Sequence, residues 1–188
     1  MRKNIIIGVF VINLIFITSC SKNSTSIIEE RLEMLNHNNN EKIADDCLEK
    51  VIKYINEKDS EGLKALFSNK AIENSENFNN GLNELFEFVG EDIISHSKSD
   101  GLTVRELNDF GEKAKEVSSY YYVNTSNQTY FILLRDYPID EKNSNNKGLY
   151  TLLIVRKENE EDIWDKNKGI IYEGDKKLDH PGIYIPIK

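Results

Sequence analysis

A cysteine behind two small residues is the most pointed piece of chemistry in this sequence. Ile17-Thr18-Ser19-Cys20 sets a branched apolar residue, two small residues and a thiol in a row. Small side chains let the strand enter a narrow peptidase cleft, and the Cys20 thiol is then placed to accept a diacylglyceryl group before cleavage after Ser19. The preceding residues agree with this. Arg2 and Lys3 make a positive start, and the apolar run from Ile5 to Ile17 is broken only by Gly8 and Asn13. Such a run suits a signal peptide and is too short to span a bilayer. We therefore expect a signal peptide over residues 1–19, lipidation (palmitate-type acyl chains) at Cys20, and attachment to the extracytoplasmic face of the cell membrane. Two acyl chains on one cysteine suffice for stable anchoring.

With Cys20 lipidated, Cys47 is the remaining cysteine and no internal disulfide is expected. Cys47 shares an apolar helical face with Ile43, Val51 and Tyr54, so a buried structural thiol is expected there rather than a reactive one. No H-E-x-x-H, C-x-x-C, G-x-S-x-G, Walker loop or G-x-G-x-x-G occurs. Asp165-Lys166-Asn167-Lys168-Gly169 has the outline of a calcium loop. It lacks an oxygen ligand at the fifth position and puts Lys176 where the twelfth-position glutamate should be, and a lysine there repels the cation. Neither a metal nor a cofactor is expected.

Removal of residues 1–19 from the 188-residue chain leaves 169 residues and moves the formal charge from −8 to −10. That length supports one domain with a proper core. The acidic balance argues against nucleic acid, whose phosphates demand basic patches, and against electrostatic adhesion to anionic lipid.

The elements that must position any site are read as follows. Residues 20–40 form a polar tether, with Ile28, Leu32 and Leu35 at helical spacing and an Asn-rich patch around His37. A single domain spans residues 41–188. Ile43, Cys47, Leu48, Val51, Tyr54 and Ile55 recur every three or four residues and predict a first helix. Asp59 is the expected N-cap of a second, carrying Leu63, Leu66 and Phe67, which ends at Ser68-Asn69. A third runs over 76–89 to a stop at Gly90. The period then changes to two: a short strand around His96, an undecided stretch over 102–110, a hairpin of 113–125 and 128–137 turning at Ser126-Asn127, and a long strand over 148–157. That last strand is apolar on both faces, with Tyr150, Leu152 and Ile154 opposite Leu149, Thr151, Leu153 and Val155, which predicts burial on both. Helices followed by an antiparallel meander make an α+β layout.

Ile43-Ala44-Asp45-Asp46-Cys47-Leu48, Leu63-Lys64-Ala65-Leu66-Phe67-Ser68, Leu85-Phe86-Glu87-Phe88, Gly148-Leu149-Tyr150 and Pro181-Gly182-Ile183-Tyr184-Ile185-Pro186 follow in this order. Together they resemble a family of small lipoproteins from low-GC Gram-positive bacteria, a domain of unknown function with a nuclear transport factor 2-like (cystatin-like) fold. The resemblance implies a cone, in which three N-terminal helices pack on a strongly curved antiparallel sheet. It implies no activity.

In that cone, the mouth is the place for chemistry. Relatives of the fold move protons there with a lone carboxylate or a histidine–carboxylate pair, which makes His96 and Asp136 the catalytic candidates. The plainer expectation puts His96 on the solvent side among Ser95, Ser97 and Lys98, and Asp136 in a surface ion pair with Arg135. The run Tyr120-Tyr121-Tyr122 must divide between two faces, since strand neighbours point opposite ways. Outward rings there, with Tyr130 nearby, would make a binding surface, and Trp164 in its acidic loop would pack or mark a contact site. Tyr122 and Trp164 are the binding candidates. Two functions therefore stand: a non-enzymatic module for a small amphipathic ligand or a protein partner, or a small isomerase- or dehydratase-type enzyme built in the cone. The residues favour the first.

Overall fold

The computed structural model describes residues 22–173, 176–178 and 180–186, with side chains described within 39–172, 177–178 and 180–186. The expected signal peptide and Cys20 lie outside the described residues. The chain divides into two compact units, Met1–Asn36 and His37–Lys188. In the first, the described backbone is helical from Lys22.

Four helices come first: α1 (Lys22–Asn56), α2 (Ser60–Leu66), α3 (Asn69–Asn74) and α4 (Phe78–Val89). The first extends well ahead of the expected start at Glu41. Asp59 caps α2 as its type and position predict, its Oδ1 accepting the Gly62 N–H at 2.8 Å. The second helix ends at Leu66 with Phe67 as its C-cap, and Ser68 caps the next, its hydroxyl accepting the Ala71 N–H at 3.1 Å; this makes α3, a fourth helix where three were expected. Gly90, at φ 68°, closes α4 in the left-handed conformation.

The strands are β1 (Ser95–Lys98), β2 (Thr103–Asp109), β3 (Glu112–Asn124), β4 (Thr129–Asp140), β5 (Gly148–Arg156), β6 (Ile171–Glu173), β7 (Lys176–Lys177) and β8 (Gly182–Tyr184). The main sheet runs β1-β3-β4-β5-β8, with β2 also paired to β3, and β6-β7 form a separate ribbon. The expected wholly antiparallel sheet is corrected at one edge. Residues 157–181 carry the chain back across the fold, so β8 lies parallel to β5, with Leu152 opposite Ile183; a return of that length is what parallel pairing needs. The sheet is therefore mixed and open.

Both faces of the sheet are covered at its centre. Toward the helices, Tyr121, Tyr130, Ile132, Leu134, Leu152 and Ile154 pack with Leu48, Val51, Leu63 and Leu85. On the opposite face, Phe131, Leu133, Leu153 and Val155 pack with Ile163 and Leu178. Leu149 joins the helix-side core instead of the face of Leu153, because the register shifts between Arg135 and Asp136. Tyr121 ties α1 to this sheet by donating to Asp45 Oδ1 at 2.9 Å.

Candidate functional site

Strand alternation divides the three consecutive tyrosines. Tyr121 is buried toward the helices, while Tyr120 and Tyr122 are half-buried on the opposite face, in register with Leu133 and Phe131 of β4. Phe131 is fully buried and lies between them, 6.3 Å from Tyr120 and 6.2 Å from Tyr122 by ring centroids. A 3-10 turn over Lys157–Ile163 follows β5 and is seated by Ile163, which is 1% exposed in the outer core. Its next residue, Trp164, thereby comes to rest 6.0 Å from Phe131 and 6.5 Å from Tyr120. The rejected calcium loop holds that indole in place. The Asp165 carboxylate accepts the Asn167 and Gly169 N–H groups at 2.8 and 2.6 Å, and Trp164 bridges back to Ile170.

These rings floor a cleft of about 640 Å³. The β1–β2 connection forms one wall, with Ser99 donating to the Tyr120 carbonyl at 3.0 Å. Glu160, Glu161, Asp165 and Lys168 form the other wall. Tyr122 reaches across to this wall, its hydroxyl donating to Glu160 Oε2 at 2.9 Å. The ammonium of Lys157 stands over the Tyr122 ring, 3.5 Å from the centroid, where the negative face of the ring attracts a cation. A cleft of this size with a few placed polar groups is within the range of small-molecule sites.

A family model described as Domain of unknown function (DUF5104) matches residues 50–157, more than half of the chain. The chain belongs to this family. No curated protein matches the chain significantly. The DUF5104 span takes in α2 to α4 and β1 to β5, and with them Tyr120, Tyr122 and Phe131. Trp164 and the acidic wall lie C-terminal to that span. Tyr120, Tyr122 and Phe131 of the cleft floor thus lie within the DUF5104 match, while Trp164 and the second wall lie beyond it.

The structure brings the binding candidates Tyr122 and Trp164 into one cleft but keeps the catalytic candidates apart. His96 pairs with Val123 and Asp136 with Val117, positions roughly 20 Å apart along β3 at about 3.3 Å per residue. His96 Nε2 lies 2.8 Å from Glu49 Oε1 of α1, and its ring meets Tyr121 edge-on. Asp136 makes no surface pair with Arg135. The two alternate across the sheet, so Arg135 turns to Glu116, 3.6 Å away on the outer side. Asp136 extends the helix-side row of Tyr130, Ile132 and Leu134. Burial raises its carboxyl to about 6, with the charge of Lys50 opposing the shift. Cys47 lies near it at the edge of the core, and burial first, then the Asp136 charge, pushes the thiol up to about 12. Tyr130 belongs to the helix side as well, its hydroxyl donating to the Phe88 carbonyl at 3.2 Å.

Sequence reasoning misses Lys157 and Glu160. They belong to the charged run that follows β5, and their placement against Tyr122 depends on the 3-10 turn and on which way it folds. Among the described residues, no group of three or more His, Cys, Asp or Glu is placed to hold a metal ion.

Proposed function

We propose that this chain is an exported, lipid-anchored binding protein whose outer-face cleft takes a small amphipathic molecule. The observation that carries the reading is the convergence of Tyr120, Tyr122, Phe131 and Trp164 on one cleft of about 640 Å³. Aromatic rings give large apolar area at low entropic cost, and the cleft's polar walls fix orientation. Anchoring rests on the Ile17-Thr18-Ser19-Cys20 pattern behind its apolar run. No described helix is long and apolar enough to cross a membrane, so attachment in this reading falls to the acyl chains.

The finer fold assignment, a nuclear transport factor 2-like cone of Gram-positive lipoprotein type, is part of the same proposal. Its support is the order of the elements, helices and then a meander, together with the packing of α1, α2 and α4 on one face of the sheet. The histidine–carboxylate form of the enzyme reading would need His96 and Asp136 together, and in the structure His96 meets Glu49 instead; the lone-carboxylate form would rest on Asp136 alone. Both residues also lie on the helix side, away from the aromatic cleft.

The test is complementation of a deletion strain by two double variants. We expect His96→Ala with Asp136→Asn to restore the deleted role, and Tyr122→Ala with Trp164→Leu to fail while remaining folded by circular dichroism. The opposite pattern would overturn the binding reading and favour the enzyme.

A further inference from the structure

We infer that the cleft selects a cationic amphiphile: an alkylammonium group on an apolar body. This rests on the binding reading and names its ligand class. The ammonium of Lys157 already stands over the face of Tyr122, 3.5 Å from the ring centroid. A protonated amine over an aromatic ring is attracted by the ring's quadrupole, and the attraction grows as water is excluded. Glu160 then adds a carboxylate at the ring's other end, accepting the Tyr122 hydroxyl at 2.9 Å. That hydrogen bond places a negative charge within reach of anything seated on the ring. Around the same cleft stand Asp100, Glu161 and Asp165, against the single basic lining residue Lys168.

Charge and shape therefore agree. The floor supplies apolar ring surface for a hydrocarbon body, and the walls supply acid for a positive head. An anionic ligand of the same length would meet like charge on both walls, which disfavours it by the same Coulomb terms that favour the cation. Lys157 is not itself a lining residue of the cleft; its contact shows that the Tyr122 ring accepts an ammonium.

Trp164 is the only tryptophan in the chain and forms part of the cleft, so its emission reports occupancy directly. The experiment titrates the full chain with octylammonium, octanol and octanoate, three ligands with one body and different heads. We expect octylammonium to bind at least tenfold more tightly than octanoate, with octanol between them. Added salt should shrink that spread. Glu160→Gln, which keeps an acceptor for Tyr122, should weaken octylammonium severalfold and leave octanol unchanged. Lys157→Ala, outside the lining, should leave the order of the three heads unchanged. Equal affinity for all three heads, or indifference to Glu160→Gln, would overturn the charge inference and leave the cleft reading standing. Emission unmoved by any of the three would overturn both.

Discussion

The ring of Trp164 stands edge-on to that of Phe131, their centroids 6.0 Å apart and their planes at 66°. One is half-buried and lines the cleft; the other is fully buried and belongs to the outer core. Substitutions at the two positions should therefore separate binding from folding. Phe131→Ala should cost about 3–5 kcal/mol in chemical denaturation, the usual figure for emptying an aromatic core position. Trp164→Leu should cost well under half of that while abolishing binding. Comparable losses at both positions would mean that the indole is core and the cleft has no floor of its own.

Asp136 makes stability depend on pH in a direction opposite to that of most carboxylates. Well below the ordinary value of 3.8 its carboxyl is neutral in both the folded and the unfolded chain. Between the ordinary value of 3.8 and the folded value of about 6, the unfolded group loses its proton first. Stability should then fall as pH rises through this window and stay lowered above it. Asp136→Asn should raise stability at pH 7 by on the order of 1–2 kcal/mol and flatten the slope between pH 4 and 6. Denaturation midpoints measured across that range decide it; a destabilised Asn variant at pH 7 would show that the charge is satisfied locally.

Cys47, with its thiol pushed up to about 12, should be almost wholly protonated at neutral pH. Maleimide labelling should be slow in the native state and fast in denaturant. Cys47→Ser should cost roughly 1–3 kcal/mol by placing a hydroxyl at an apolar contact. Rapid native labelling would contradict the packing of this residue against α1's neighbours.

The resemblance motif Gly148-Leu149-Tyr150 has a mechanical basis. Gly148 sits at φ 117°, where a Cβ would lie 2.8 Å from the Leu66 carbonyl oxygen, and its neighbour Leu149 accepts the Ser68 N–H at 2.9 Å. The glycine lets β5 start directly against the α2–α3 junction. Gly148→Ala should cost at least 1–3 kcal/mol through backbone strain and the clash, seen as a lowered denaturation midpoint.

Lipidation is tested independently of the fold. Cys20→Ala should abolish acyl labelling and release the chain from membranes. A Cys20→Ala chain that still labels with palmitate would remove the anchoring proposal.

Local signals in the sequence carried far: the cap at Asp59, the stop at Gly90, and the turn at Ser126-Asn127 all follow from side-chain chemistry acting over three or four residues. Alternation likewise separates Tyr121 from Tyr120 and Tyr122 before any strand is paired. What alternation cannot supply is register. His96 and Asp136 share the helix side, yet only the pairing of β1 and β4 with β3 shows how far apart they are. The parallel edge at β8 is hidden for the same reason, since the return through residues 157–181 is set by burial of Ile163 and Leu178 and has no local period. Lys157 and Glu160 read as an ordinary solvated charge run until that return folds them over Tyr122.

Ligand binding is proposed on the outer face of the sheet. Amide and indole chemical-shift mapping of the isotopically labelled chain, titrated with octanol as an uncharged probe, tests it most directly. The predicted result is saturable movement of the Trp164 indole N–H and of the amides of Tyr120, Tyr122 and Phe131, with His96, Cys47 and Asp136 unmoved. Shifts centred on Cys47, Lys50 and Asp136 would contradict the claim and put the site between α1 and the sheet.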